Sequence, residues 1–523
     1  MQAEYAAMIA TPSAERRSAR RGKRPDNPLL KLPFRQPRNP WKPLEILAAD
    51  QIEHIHAASM RILEETGIDM LDDETIELWT RAGAKVDAEL RRVWIDRGLL
   101  MGLVAQAPSS FRHHARNPEH TIFYGENAIT FTPAAGMAYL TSRDFPRRTG
   151  TLNDLIDFIK VGQLVPVIHT AGGASVEPQD VPVSIRHLRR AIAVYTHTDK
   201  VTGGAAHGRV IPQDAIAMAK IVFGDPLPAE PVLSSNINAS SPLRYDSRML
   251  GGALSYAREG QIVTVTPFIL AGAMSPISMA AAIAQQNAEA LAGIATLQIA
   301  RPGAPCIYGG FTTNIDMKSG SPAFGTPEGA WAMAIGAQLA RRYHLPYRGS
   351  GSLCTAKASD AQAGYETMWT LWPAVMSNTN QIVHAAGWLD GGLTISYEKF
   401  ILDLEMLAMF QHFLGGFEIS DDTLALDYIK EVGPGGHHFG TAHTQARYTT
   451  EHYQSFVVGD RQAWENWELA GAQEAAERAN AVWKDLLAQY EKPALDPGIE
   501  EALREYAARR ERELINENLY EKI

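Results

Sequence analysis

From residue 151 the chain alternates short apolar runs with stretches of helical period, and that alternation predicts the fold. The apolar runs lie at 167–172, 201–206, 231–238, 262–271, 305–312, 347–354 and 381–387. They have strand length and end in Gly and polar residues. Between them apolar residues recur every three or four positions. This predicts helices over 151–164, 184–196, 212–223, 247–258, 275–299 and 327–343. Thr149 or Thr151 caps the first. Ser275-Pro276 and Thr326-Pro327 each set a capping hydroxyl before a proline at the first helical position. A strand count near eight, with no early Gly-rich dinucleotide fingerprint, selects an α/β fold of the (β/α)8 TIM barrel type over a doubly wound sheet. The eighth strand has two candidate positions, 398–405 and 439–443.

The flanks have other textures. Residues 1–43 form a basic, Pro-rich arm containing Arg16, Arg17, Arg20, Arg21, Lys23 and Arg24. The apolar run of a twin-arginine signal does not follow, so the expectation is a surface arm rather than export. Residues 44–150 mix helical periods with short strands and read as an α+β region. The barrel is expected over 151–445. Residues 446–523 read as a C-terminal helical extension that packs on the barrel exterior or on a second subunit.

Composition narrows the class. With 523 residues, 45% apolar and 21% charged, the chain is that of a globular protein with a large core. A net charge of −10 disfavours nucleic acid as a bulk partner. Two cysteines make neither a disulfide framework nor a zinc site by themselves, and no apolar run is long enough for a membrane span. These point to a reducing cytoplasm. A homo-oligomer is expected from the long C-terminal helices.

Candidate chemistry clusters after the strands, where a barrel keeps its active-site mouth. The run from 347 to 405 is the richest. By strand alternation His384 shares a face with Ile382 and Ala386, where a small apolar residue is expected. Trp388, Asp390 and Glu398 follow it. Glycines at strand ends, among them Gly309, Gly310 and Gly351, let a planar ligand approach the backbone, though barrel loops often contain glycine anyway. His169, His207 and His384 are each read as core histidines or as part of a site, without the close pair that a metal needs. His437, His438, His443 and His452 read as a lid or pocket wall. Aromatic residues near the strand ends, including Phe268, Phe311, Tyr365, Trp369 and Trp388, form either packing or a cage for a quaternary ammonium. No nucleophile elbow, Walker loop, zincin helix or CxxC is present.

Several long segments, in order, resemble the trimethylamine methyltransferase family: ILEETGI at 62–68, SPISMAAAIAQQNAEALAGI at 275–294, FGTPEGA at 324–330, KASDAQAGYE at 357–366 and HAAGWLDGGLT at 384–394. The resemblance implies a (β/α)8 barrel that moves a methyl group from a methylamine or betaine to the cobalt of a corrinoid (cobalamin) on a small partner protein. The archaeal trimethylamine enzymes use pyrrolysine, whose place falls within 381–388. Only standard residues stand here, so the chain is similar to the non-pyrrolysine branch, some of whose members demethylate glycine betaine. On this reading His384, Asp390 and Glu398 are the catalytic candidates. Phe268, Phe311 and Trp388 hold the onium group, Arg348 or Lys357 joins His384 on a carboxylate, and His207, Asn238, Gly309, Gly310 and Gly351 face the corrin. Two other readings stay open: tetrahydrofolate as direct acceptor, and a non-catalytic betaine-binding barrel.

Overall fold

A computed structural model describes residues 28–455 and 458–519; the basic run at 16–24 lies outside them. Seven parallel strands form one curved sheet. They are β1 (Thr130–Phe131), β2 (Thr202–Gly203), β3 (Leu233–Ile237), β4 (Ile262–Val265), β5 (Cys306–Gly309), β6 (Tyr347–Ser350) and β7 (Gln381–Val383). Each pairs with the next from β2 to β7, and β7 pairs with β1 in the register Gln381 to Thr130.

The segment 168–171 closes the ring. Thr170 bridges Val201 on one side. On the other, the amide of His169 donates to the carbonyl of Phe131 at 3.0 Å. The His169 ring stitches the same seam. Its Nδ1 accepts from the Phe131 amide at 3.0 Å, and Nε2 lies 3.1 Å from the carbonyl of Arg35. Eight staves therefore surround the core. The eighth stave is β1, a two-residue piece ahead of residue 151, within the short strand at 128–132 that the residues predict in the N-terminal α+β region. Neither expected position for it holds: 398–405 lies inside a helix, and 439–443 forms no strand. Nothing local marks that strand as a barrel stave; its partner, β7, lies some 250 residues further along the chain.

The helices follow the periodicity closely: α1 (Leu152–Leu164), α2 (Val183–His197), α3 (Val210–Phe223), α4 (Ser247–Arg258), α5 (Met279–Ala300), α6 (Pro327–Arg342), α7 (Ala361–Met376) and α8 (Tyr397–Gly415). Thr151 caps α1 in a reciprocal box with Asp154, and Thr326 precedes Pro327 at the start of α6. Helix α5 starts later than expected, at Met279 after Ser278, so Ser275 and Pro276 belong to the loop before it. Its all-round burial reflects the small residues in its sequence. Helices α9 (Ala475–Gln489) and α10 (Pro497–Leu514) both lie on their own barrel: α9 on α8 and α1, α10 on α2 and α3.

Beyond the staves, small sheets raise the mouth. Phe268–Ala271, Phe311–Ile315 and Pro322–Ala323 form one. Trp388–Leu389 and Thr394–Ser396 join Tyr139–Ser142 and Phe145–Thr149 in another. Between them a chamber of about 480 Å³ opens at the C-terminal ends of the staves. Among the described residues, no helix is long and apolar enough to cross a membrane.

Candidate active site

Stave β7 ends at Val383, and the chain turns at once through His384, whose φ is 62°. That left-handed step breaks the expected alternation with Ile382 and swings the ring into the chamber. A non-glycine residue held there is strained, and such strain concentrates at functional sites. The ring is 7% exposed. Nδ1 accepts the amide hydrogen of Ala135 at 3.2 Å, so a neutral ring carries its proton on Nε2. Burial first, and the charge of Arg348 second, hold its pKa well below the usual imidazole range.

Arg348, from β6, faces that proton. Its Nη2 lies 3.3 Å from His384 Nε2. Both groups are donors, so no satisfied bond joins them. The guanidinium is 4% exposed. It reaches only the carbonyl of Gly310 at 3.5 Å and the hydroxyl of Ser350 at 3.1 Å, and Nε has no partner. No carboxylate is among its partners in the described residues. Burial pushes its pKa down to about 10. A buried cation beside a second donor calls for an anion that accepts from both.

Aromatic rings wall the same space. His384 meets Trp388 at 4.5 Å and Phe311 at 5.6 Å between centroids. Phe324, outside the chamber lining, backs this wall: it stacks on Phe311 at 5.5 Å and meets Trp388 edge-on at 5.3 Å. Arg348 lies 5.2 Å over the Phe311 ring. The arrangement sets ring faces against a guanidinium, which suits a small molecule with a cation at one end and an anion at the other.

The structure thus brings Phe311, Arg348, His384 and Trp388 together, with His207 and Asn238 nearer the mouth of the same chamber. Phe268 stands behind Phe311 at 5.1 Å. The other expected residues lie elsewhere. Lys357 is exposed and pairs with Asp390 at 3.4 Å, and Arg147 joins that pair at 3.2 Å, so Asp390 belongs to a rim network. Glu398 is 2% exposed and is consumed as an anchor: it accepts from Ser142 at 2.7 Å and Asn480 at 2.8 Å, tying the start of α8 to α9. Gly309, Gly310 and Gly351 face packed neighbours rather than a ligand. An added Cβ would meet Thr266 at 2.2 Å, Gln286 at 2.7 Å and Leu371 at 2.3 Å respectively. His437, His438, His443 and His452 do not line the chamber. Phe324 and the 132–137 loop were not singled out by the chemistry of their residues. Phe324 opens the FGTPEGA segment, which was the available signal.

The family model described as "Trimethylamine methyltransferase (MTTB)" matches residues 13–515. A glycine betaine methyltransferase of Desulfitobacterium hafniense (strain Y51) is 40% identical over 471 residues, covering 90% of this chain and 98% of that protein. A trimethylamine methyltransferase of D. hafniense (strain DSM 10664 / DCB-2) is 30% identical over 463 residues, covering 87% and 92%. The trimethylamine methyltransferase of Methanosarcina barkeri (strain Fusaro / DSM 804) is 28% identical over 472 residues, covering 87% and 93%.

Proposed function

Given that the chain belongs to the trimethylamine methyltransferase family, we propose that it demethylates a betaine, a quaternary ammonium that also bears a carboxylate, and passes the methyl group to a corrinoid carried by a partner protein. One observation carries the choice of substrate: Arg348 and His384 present two buried donors to one point and have no acidic partner there. A carboxylate satisfies both. Choline and trimethylamine offer no such group.

The site's task is to hold and desolvate. Arg348 and His384 Nε2 fix the carboxylate, and Phe311 and Trp388 face the onium methyls, with Phe324 packed behind both rings. The tertiary amine leaves with the electron pair of the broken C–N bond, so no proton is needed at that moment. A neutral buried His384 is consistent with this, since it serves as a donor and not as an acid. Polar groups at the mouth support a corrin there: His207, Asn236 and Asn238 would face the amides of a corrin rim, and a Cβ at Gly136 would meet nothing within 4 Å. A bound corrinoid supplies the cobalt nucleophile.

The test is absorbance of cob(I)alamin on mixing the protein with glycine betaine, choline or trimethylamine, with tetrahydrofolate as acceptor in a parallel arm. Loss of the cob(I)alamin signal with the betaine, and not with the other amines, is expected. Equal turnover of choline overturns the role of Arg348. Product with tetrahydrofolate alone overturns the acceptor.

A further inference from the structure

Helix α7 shows water an aromatic stripe. Tyr365, Met368, Trp369 and Trp372, spaced at three and four residues, are 63%, 38%, 51% and 41% exposed. The stripe continues across Trp372 to Phe413 of α8 at 5.5 Å, and from Phe413 to Trp41 at 4.8 Å. An apolar patch of this extent marks an interaction surface.

A second apolar surface of another kind follows it in the chain. After α8, residues 416–452 make an excursion with three short helices, Asp421–Leu424, Leu426–Val432 and Ala442–Arg447, and none of their residues is buried. Phe417, Ile419, Leu426, Phe439 and Tyr448 stand in solvent. The helices are nonetheless specified locally: Ser420 and Thr441 cap two of them, and Arg447 pairs with Asp422. Ordering backbone costs about 1–2 kcal/mol per residue. With almost no apolar surface buried on its own chain, the excursion has little to offset that cost.

We propose that residues 416–452 are an exchange arm: in a two-fold pair, the arm of each copy lies on the stripe of Tyr365, Trp369 and Trp372 of the other. Three features select a second copy. Both surfaces sit on one chain, so a single two-fold operation covers both at once. Aromatic side chains bury about 150–250 Å² each, so two arms and two stripes together pass the roughly 1,200 Å² of a specific interface. The arm is also acidic, with Glu418, Asp421, Asp422, Asp427, Glu431 and Glu451 against Lys430 and Arg447, while Lys42 beside Trp41 and Arg35 beside Gly415 supply cations at the end of the stripe. None of the stripe residues lines the chamber, so the pair leaves the mouth open. The C-terminal helices, by contrast, are engaged with their own barrel.

Sedimentation of the full chain tests this. The wild type is expected to associate at about 10 µM. An arm variant (Phe417→Asp with Ile419→Asp) and a stripe variant (Trp369→Asp with Trp372→Asp) each raise the dissociation constant at least ~30-fold. Mixing the two variants restores association, because each mixed pair keeps one intact arm on one intact stripe. A monomeric wild type, or mixed variants that stay apart, overturns the proposal. Should either variant fail to fold, a photo-crosslinking residue in place of Phe417 decides. Capture of α7 from a second copy supports the exchange, and capture within one copy or none overturns it.

Discussion

The indole Nε1–H of Trp388 donates to the carbonyl of Cys354 at 3.1 Å, and the thiol of Cys354 donates back to the carbonyl of Trp388 at 3.1 Å. This reciprocal pair fixes the plane of the ring that walls the chamber. Cys354 thus orients the site without touching its contents. Its alanine variant is expected to raise KM for the betaine more than it lowers kcat, as measured by initial rates.

Burial pushes the thiols of Cys354 and Cys306 up to about 12. Neither is a thiolate at neutral pH, and neither is reached by solvent. A thiol reagent is expected to titrate no cysteine in the native protein and both after unfolding.

Arg348→Met removes a buried charge that has no counter-ion in the free protein. Such a charge costs stability, so the variant is expected to melt no lower than wild type. Its kcat/KM for the betaine falls at least ~100-fold, since the loss of a charge-assisted bidentate contact is worth about 3 kcal/mol. Melting curves and initial rates on one preparation check both.

Neither of the two buried donors titrates near neutrality. His384 is held neutral, its pKa lowered below the working range, and Arg348 keeps its proton until about 10. The profile of kcat/KM is expected to be flat from about pH 7 to about pH 9 and to fall as Arg348 loses its charge.

Acid opens the seam of the barrel. Burial holds His169 down to about 4, against the ordinary 6.5 of an unfolded chain. Above 6.5 both states are neutral. Below it the unfolded chain takes the proton first, so stability falls as pH drops from 6.5 to about 4. The loss from this residue is about 3 kcal/mol. Thermal melts across that window show the decline, and His169→Gln flattens its share of the slope.

Much of this was legible in the residues. Periodicity located seven staves' worth of strand or extended segment and most helices, because long repeats of apolar residues carry their own signal. A short strand at 128–132 was legible too, but only as part of the N-terminal region, since β1 gains its place in the barrel only by pairing with Gln381 some 250 residues away. Four of the expected site residues converge because they lie in, or just after, the consecutive staves β5, β6 and β7. Asp390 and Glu398 were expected beside them on nearness in sequence alone. Their true partners, Arg147 and Asn480, come from distant parts of the chain that only the fold brings near. Phe324 was overlooked because one phenylalanine in a loop looks like packing.

The seam between β1 and β7 also sets a schedule for making the protein. On the ribosome β1 emerges early and β7 some 250 residues later. Until then the growing sheet has two bare edges, the condition most open to sticking to other nascent chains. The bond from Ala135 to His384 spans that gap. The two halves of the candidate pocket are therefore separate until the last stave is delivered, and a truncated translation product ending before β7 would carry Arg348 yet have no chamber to put it in.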